Sequence, residues 1–120
     1  MKYLLLTLSI LLATNVQAEK SVEAIDKDCA TYSKVAEDIA AVRYKGLSMR
    51  DAIRLTREYI EEKNMRENEH EILRGLVHAA YTLPAHTNKQ TQAAAVREYG
   101  NIVYRKCLEK LGGLEDTDNL

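Results

Sequence analysis

Residues 22–43 read VEAIDKDCATYSKVAEDIAAVR, and this stretch decides the fold. Val22, Ile25, Cys29, Tyr32, Ala36, Ile39 and Arg43 recur at alternating spacings of three and four, which puts them on one stripe of a 3.6-residue helix. The first helix is therefore expected from about Ser21 to Lys45, with Gly46 as a left-handed stop after it. Ser48, with Asp51 three residues later, approximates a capping box and restarts the chain. A second helix, about Met49 to Lys63, is expected to bury Ala52, Ile53, Thr56, Tyr59 and Ile60.

Residues 64–68 form the next turn, and Asn68 with Glu71 is expected to cap a third helix. Its apolar face is Ile72, Leu73, Leu76, Val77, Ala80 and Leu83. Pro84 stops it, because the residue before a proline is pushed out of the α region. Thr87 with Gln90 is expected to cap a fourth helix running to about Leu111, with Ala93, Val96, Gly100, Val103 and Cys107 inward and Gly112-Gly113 ending it. Helix formers dominate, and the β-branched and aromatic clusters that mark strands are missing. The expected class is all-α, a small four-helix bundle.

Outside this body lie two segments of different character. Met1-Lys2 is a short positive start, and Tyr3 to Leu12 is apolar apart from Thr7 and Ser9. Val16-Gln17-Ala18 then ends in a small-x-small cleavage pattern. Residues 1–18 therefore read as a signal peptide, and its apolar run of about ten residues is too short to span a bilayer. Residues 19–113 read as one helical domain, and residues 114–120 as a disordered acidic tail. This predicts a periplasmic or secreted protein with no membrane anchor once the leader is removed.

Export gives the two cysteines their meaning, because disulfides persist in oxidising compartments. Cys29 lies early on the stripe of the first helix and Cys107 late on that of the fourth, so an intramolecular bridge would set these helices side by side and antiparallel. Two free thiols or an intermolecular bridge are the alternatives. No CxxC or CxxCH motif is present, so neither redox chemistry nor haem attachment is expected. The formal net charge of −1 becomes about −2 when Lys2 leaves with the leader. So weak and negative a balance excludes nucleic acid and a polybasic lipid contact as expected partners.

Histidine is where catalysis or a metal would show. His70, Arg74 and Tyr81 fall in one narrow sector of the third helix, read as opposite its apolar face, with His78 bordering it. This is either a solvated face or a polar recognition stripe. The HExxH pattern fails at Arg74, and one Glu-x-x-His turn, Glu67 to His70, is too few for a di-iron site. No metal, no cofactor and no catalytic constellation is expected. Arg43 sits where Ile or Leu would complete the first stripe. It either caps carbonyls at the helix end, with help from Asp51, or anchors an anion in a groove. Gly100, mid-helix, signals either close helix approach or a ligand-sized gap. All six aromatic residues after the leader are tyrosines, which suit half-buried rims and protein interfaces alike.

Ile39-Ala40-x-x-Arg43-x-x-Gly46-x-Ser48, then Ala80-Tyr81-x-x-Pro84 and a closing Cys107, resembles a pattern in short exported proteins of Gram-negative bacteria and their phages. The resemblance implies a cysteine-bracketed helical body in which Arg43, Gly46, Tyr81 and Pro84 belong to one structural junction. It implies no activity and no functional residues, and the acidic tail fits no part of it. The sequence thus leads to a non-enzymatic binding protein acting on another envelope protein. The alternative is a helical carrier of a small amphipathic ligand, marked by a tyrosine-lined pocket of about 300 Å³ or more.

Overall fold

A computed structural model describes residues 21–112; residues 1–20 and 113–120, and with them the expected signal peptide and acidic tail, lie outside them. The described chain is four helices: α1 (Val22–Tyr44), α2 (Met49–Lys63), α3 (Glu67–Ala80) and α4 (Lys89–Gly112). No strand is present among the described residues.

The helix ends follow local chemistry. Ser21 Oγ accepts the Ala24 N–H at 3.1 Å and opens α1. Gly46 takes φ +94° after its last turn, where a β-carbon would be strained. The N–H groups of Gly46 and Leu47 then satisfy the Arg43 and Val42 carbonyls at 3.0 and 3.3 Å. Ser48 Oγ accepts the Asp51 N–H at 3.1 Å, the N-cap the sequence predicts, while the Asp51 carboxylate takes the Ser48 hydroxyl at 3.0 Å in place of the return bond of a full capping box.

Two caps form elsewhere than expected. Asn64 adopts the left-handed conformation (φ 51°) and closes α2 as glycine does α1, with Met65 N–H bonded to the Ile60 carbonyl at 3.1 Å. The turn is thereby shortened, and α3 starts at Glu67 rather than after Asn68. Glu69 reaches back to the Arg66 N–H at 3.4 Å, displacing the expected Asn68–Glu71 pair. At α4 the cap is Asn88 rather than Thr87: its Oδ1 accepts the Gln90 and Thr91 N–H groups at 2.8 and 3.2 Å.

The most extensive interface is α1 on α4. Cys29 faces Cys107 and Ser33 faces Gly100, so residue numbers fall along one helix as they rise along the other and the pair is antiparallel. The Cys29–Cys107 disulfide ties the first and last helices, with Cα atoms 5.5 Å apart. Gly100 permits the contact. Its carbonyl accepts Ser33 Oγ at 2.8 Å, and a β-carbon there would lie 2.5 Å from Glu37 Cγ. The gap reading of Gly100 is thus replaced by close approach.

Small residues let the helices close. The core is Ala36, Ile39, Ala40, Ala52, Val77, Ala80 and Tyr99. α3 lies against α1, and α2 packs on α3 with only a light contact to α1. Several residues expected inside are not. Val22 is 83 % exposed at the start of α1, and Ile72 and Ala93 also face outward. α2 buries Ala52 alone, leaving Ile53, Thr56, Tyr59 and Ile60 half-buried.

Candidate functional site

Arg43 sits at the rim of the core, half-buried at the end of α1. Gly46 and Leu47 already satisfy the last α1 carbonyls, so its guanidinium turns across to the loop between α3 and α4. There it donates to the Pro84 carbonyl at 3.2 Å. The same carbonyl accepts the Tyr44 hydroxyl at 2.8 Å. The guanidinium carbon lies 5.2 Å from the Tyr44 ring centre and 5.9 Å from that of Tyr81, within cation–π range. Asp51 does not receive it; that carboxylate is held by Ser48 and by Arg54 at 3.6 Å.

Tyr81 completes the junction by donating to the Leu47 and Ser48 carbonyls at 2.8 and 3.0 Å. Burial raises its pKa, the Arg43 charge works against that shift, and Asp51 adds to it. Arg43, Tyr81 and Pro84 therefore meet, and Gly46 supplies the turn that carries Leu47 to Tyr81. Every polar group in the cluster faces a carbonyl or ring of the chain itself, which makes it a clasp between two loops.

The polar stripe on α3 divides. Tyr81 belongs to the clasp. His70 is half-buried beside Val77, its Nε2 3.0 Å from the Met65 carbonyl, so the stripe borders the apolar face instead of opposing it. Arg74 and His70 both look into a hollow of about 290 Å³ between α2 and α3, floored by Ile53, Ile60 and Val77. His78 is exposed and does not line it.

The open surface gathers around α2. On its α1 side, Val35, Ile39, Val42, Leu55 and Tyr59 line an apolar groove of about 150 Å³. On its other side, the α2–α3 hollow continues through Ile53 and Arg57 into a hollow of about 490 Å³ bounded by Met49, Arg50 and Arg54. Sequence reasoning passed over Leu55 and these arginines. Their signal was present: Arg50, Arg54 and Arg57 follow helical spacing beside Met49, Ile53 and Ile60.

Most tyrosines are ties between elements. Tyr32 donates to the Glu69 carboxylate at 3.3 Å, Tyr99 to the Leu76 carbonyl at 2.5 Å, and Tyr104 to the Asp26 carboxylate. Burial, then the Glu69 charge and hydrogen bond, push Tyr32 up to about 12; burial alone pushes Tyr99 up to about 12. Tyr59 makes no hydrogen bond among the described residues and stands in the open groove. Both cysteines are in the bridge, so no thiol is available as a nucleophile. Among the described residues no three His, Cys, Asp or Glu side chains gather as a metal site. No described helix is long and apolar enough to cross a membrane. No family model, no curated protein and no solved structure matches this chain.

Proposed function

We propose that this protein is a periplasmic, non-enzymatic binding protein that engages another envelope protein through the surface around α2. The observation that carries the reading is the treatment of α2. It has an apolar arc from Leu55 through Thr56 to Ile53 yet buries only Ala52, and open grooves flank it on both sides. Such unpartnered apolar area on a small domain marks interaction sites. The bridged cysteines suit an oxidising compartment, and Val16-Gln17-Ala18 supplies the route there. The carrier reading is weaker on size and lining. The tyrosine-bearing groove holds about 150 Å³, and the larger hollows are lined by arginines without tyrosine.

The test is in-cell photo-crosslinking, with a photoreactive amino acid at position 55 on α2 or at the exposed position 98 on α4. Adducts to a defined envelope protein from position 55 and none from 98 are expected. Exported protein giving no adduct at 55, or the same adducts from both positions, overturns the reading.

A further inference from the structure

The hollows on the α3 side of α2 share Ile53 and Arg57, so they form one trough. From Met49 to Glu61 it follows α2 for roughly 18 Å, at 1.5 Å per helical residue. Its floor is apolar: Met49, Ile53, Ile60 and Val77. Its rim is cationic. Arg50, Arg54 and Arg57 stand along α2, and Arg74 faces them from α3. Arg54 has Asp51 as a partner at 3.6 Å. Arg50, Arg57 and Arg74 carry no ion pair among the described residues, and Glu61 is the one carboxylate in the lining.

An apolar floor with an unneutralised cationic rim selects its occupant. A small anion is disfavoured, because the trough is open along its length and its arginines are exposed, so it cannot enclose such a ligand. A uniformly charged polyanion is disfavoured too, because it would leave the apolar floor of Met49, Ile53, Ile60 and Val77 uncovered. What fits is a partner with alternating chemistry. We propose that the trough receives an acidic amphipathic helix of the partner protein, with apolar side chains on the floor and Asp or Glu along the arginine rim. This rests on the reading of α2 as the binding face and names its occupant. Three helical turns match the trough's length, so the anchors lie at i, i+3 or i+4, and i+7. Glu61 sets polarity, favouring a basic residue at the end of the incoming helix that meets the C-terminal half of α2.

The probe is a fluorescein-labelled peptide of about 15 residues with leucines at that spacing flanked by glutamates. Its twin carries lysine for every glutamate. Fluorescence anisotropy with the oxidised protein reads binding, and circular dichroism and melting temperature confirm that each variant is folded. The glutamate peptide is expected to bind, to weaken as salt rises, and to bind at least tenfold more weakly to the Arg57→Glu/Arg74→Glu variant. That variant is expected to bind the lysine twin more tightly than the wild type does. Glu98→Gln, at an exposed position on α4 away from α2, should leave glutamate-peptide binding unchanged.

Equal binding of the two peptides, no binding of the glutamate peptide, or indifference to the arginine reversals overturns the proposal. Arginine-dependent binding to phosphatidylglycerol vesicles without peptide binding also overturns it, in favour of a lipid surface. Envelope-protein adducts from position 55 that survive in the Arg57→Glu/Arg74→Glu variant would leave the broader reading of α2 standing while this proposal falls.

Discussion

Replacing Arg43 by methionine removes one charged donor while keeping side-chain length, which makes it the sharpest probe of the clasp. The lost bond to the Pro84 carbonyl is 3.2 Å long and near solvent, so it belongs at the low end of the range for charged hydrogen bonds, about 1.5 kcal/mol. Loss of the stacked cation over Tyr44 and Tyr81 adds about 0.5 kcal/mol, and the thioether returns a similar amount against the same rings. The net expectation is a loss of about 1–2 kcal/mol. Tyr44→Phe, which removes the 2.8 Å bond to the same carbonyl, should lose about 1 kcal/mol. Either donor alone still holds the loop, so the double variant should lose at least 0.5 kcal/mol more than the two singles together, a coupling typical of one hydrogen-bond network. Urea unfolding of all four proteins with the disulfide intact measures this. Additivity within about 0.3 kcal/mol would refute the shared-clasp account. Wild-type stability in Arg43→Met together with lost partner adducts would make Arg43 a recognition residue.

Reduction of Cys29–Cys107, or Cys29→Ser, should lower stability by about 2–5 kcal/mol while helical circular dichroism persists, since the bridge closes a sequence separation of 78. Equal urea midpoints with and without reductant would contradict it. Gly100→Val should lose about 1–3 kcal/mol, because the new methyl groups meet Glu37 and Ser33; in a Glu37→Ala background the loss should shrink. Tyr32 and Tyr99 ionise in the unfolded chain near 10 but only near 12 when folded. Their contribution is complete below pH 10 and is lost as pH rises from 10 toward 12. An alkaline titration of tyrosinate absorbance should show Tyr32 and Tyr99 among the late phenols, ionising near 12 or on unfolding, and Tyr99→Phe should shrink that late phase.

Fold class and the disulfide pairing were legible because they rest on long-range periodicity: the stripe from Ile25 to Ile39 and the in-phase cysteines survive small errors of boundary. Caps were less so, since Asn64, Asn68, Thr87 and Asn88 are all competent and the winner depends on tertiary partners. Glu69, for example, is drawn toward Tyr32 as well as Arg66. The role of Arg43 was half legible. Its position announced an unusual partner, but the Pro84 carbonyl is 41 residues away and reaches it only through the α3–α4 loop. The trough was missed because periodicity was equated with burial. α2 has the apolar arc of a core helix, yet α1 touches it lightly, and no sequence pattern says how many sides of a helix its neighbours will cover.

The disulfide also decides how the domain responds to tension. A pull applied to the backbone before Cys29 and after Cys107 runs through the two sulfur atoms, across Cα atoms 5.5 Å apart, and bypasses every helix between them. A sequence separation of 78, roughly 260 Å of contour if drawn straight, is thereby taken out of the line of force. The oxidised body acts as an inextensible knot on its chain, so whatever α2 holds is shielded from strain at the ends. Reduction would restore that hidden length and expose the α2 surface to the pull.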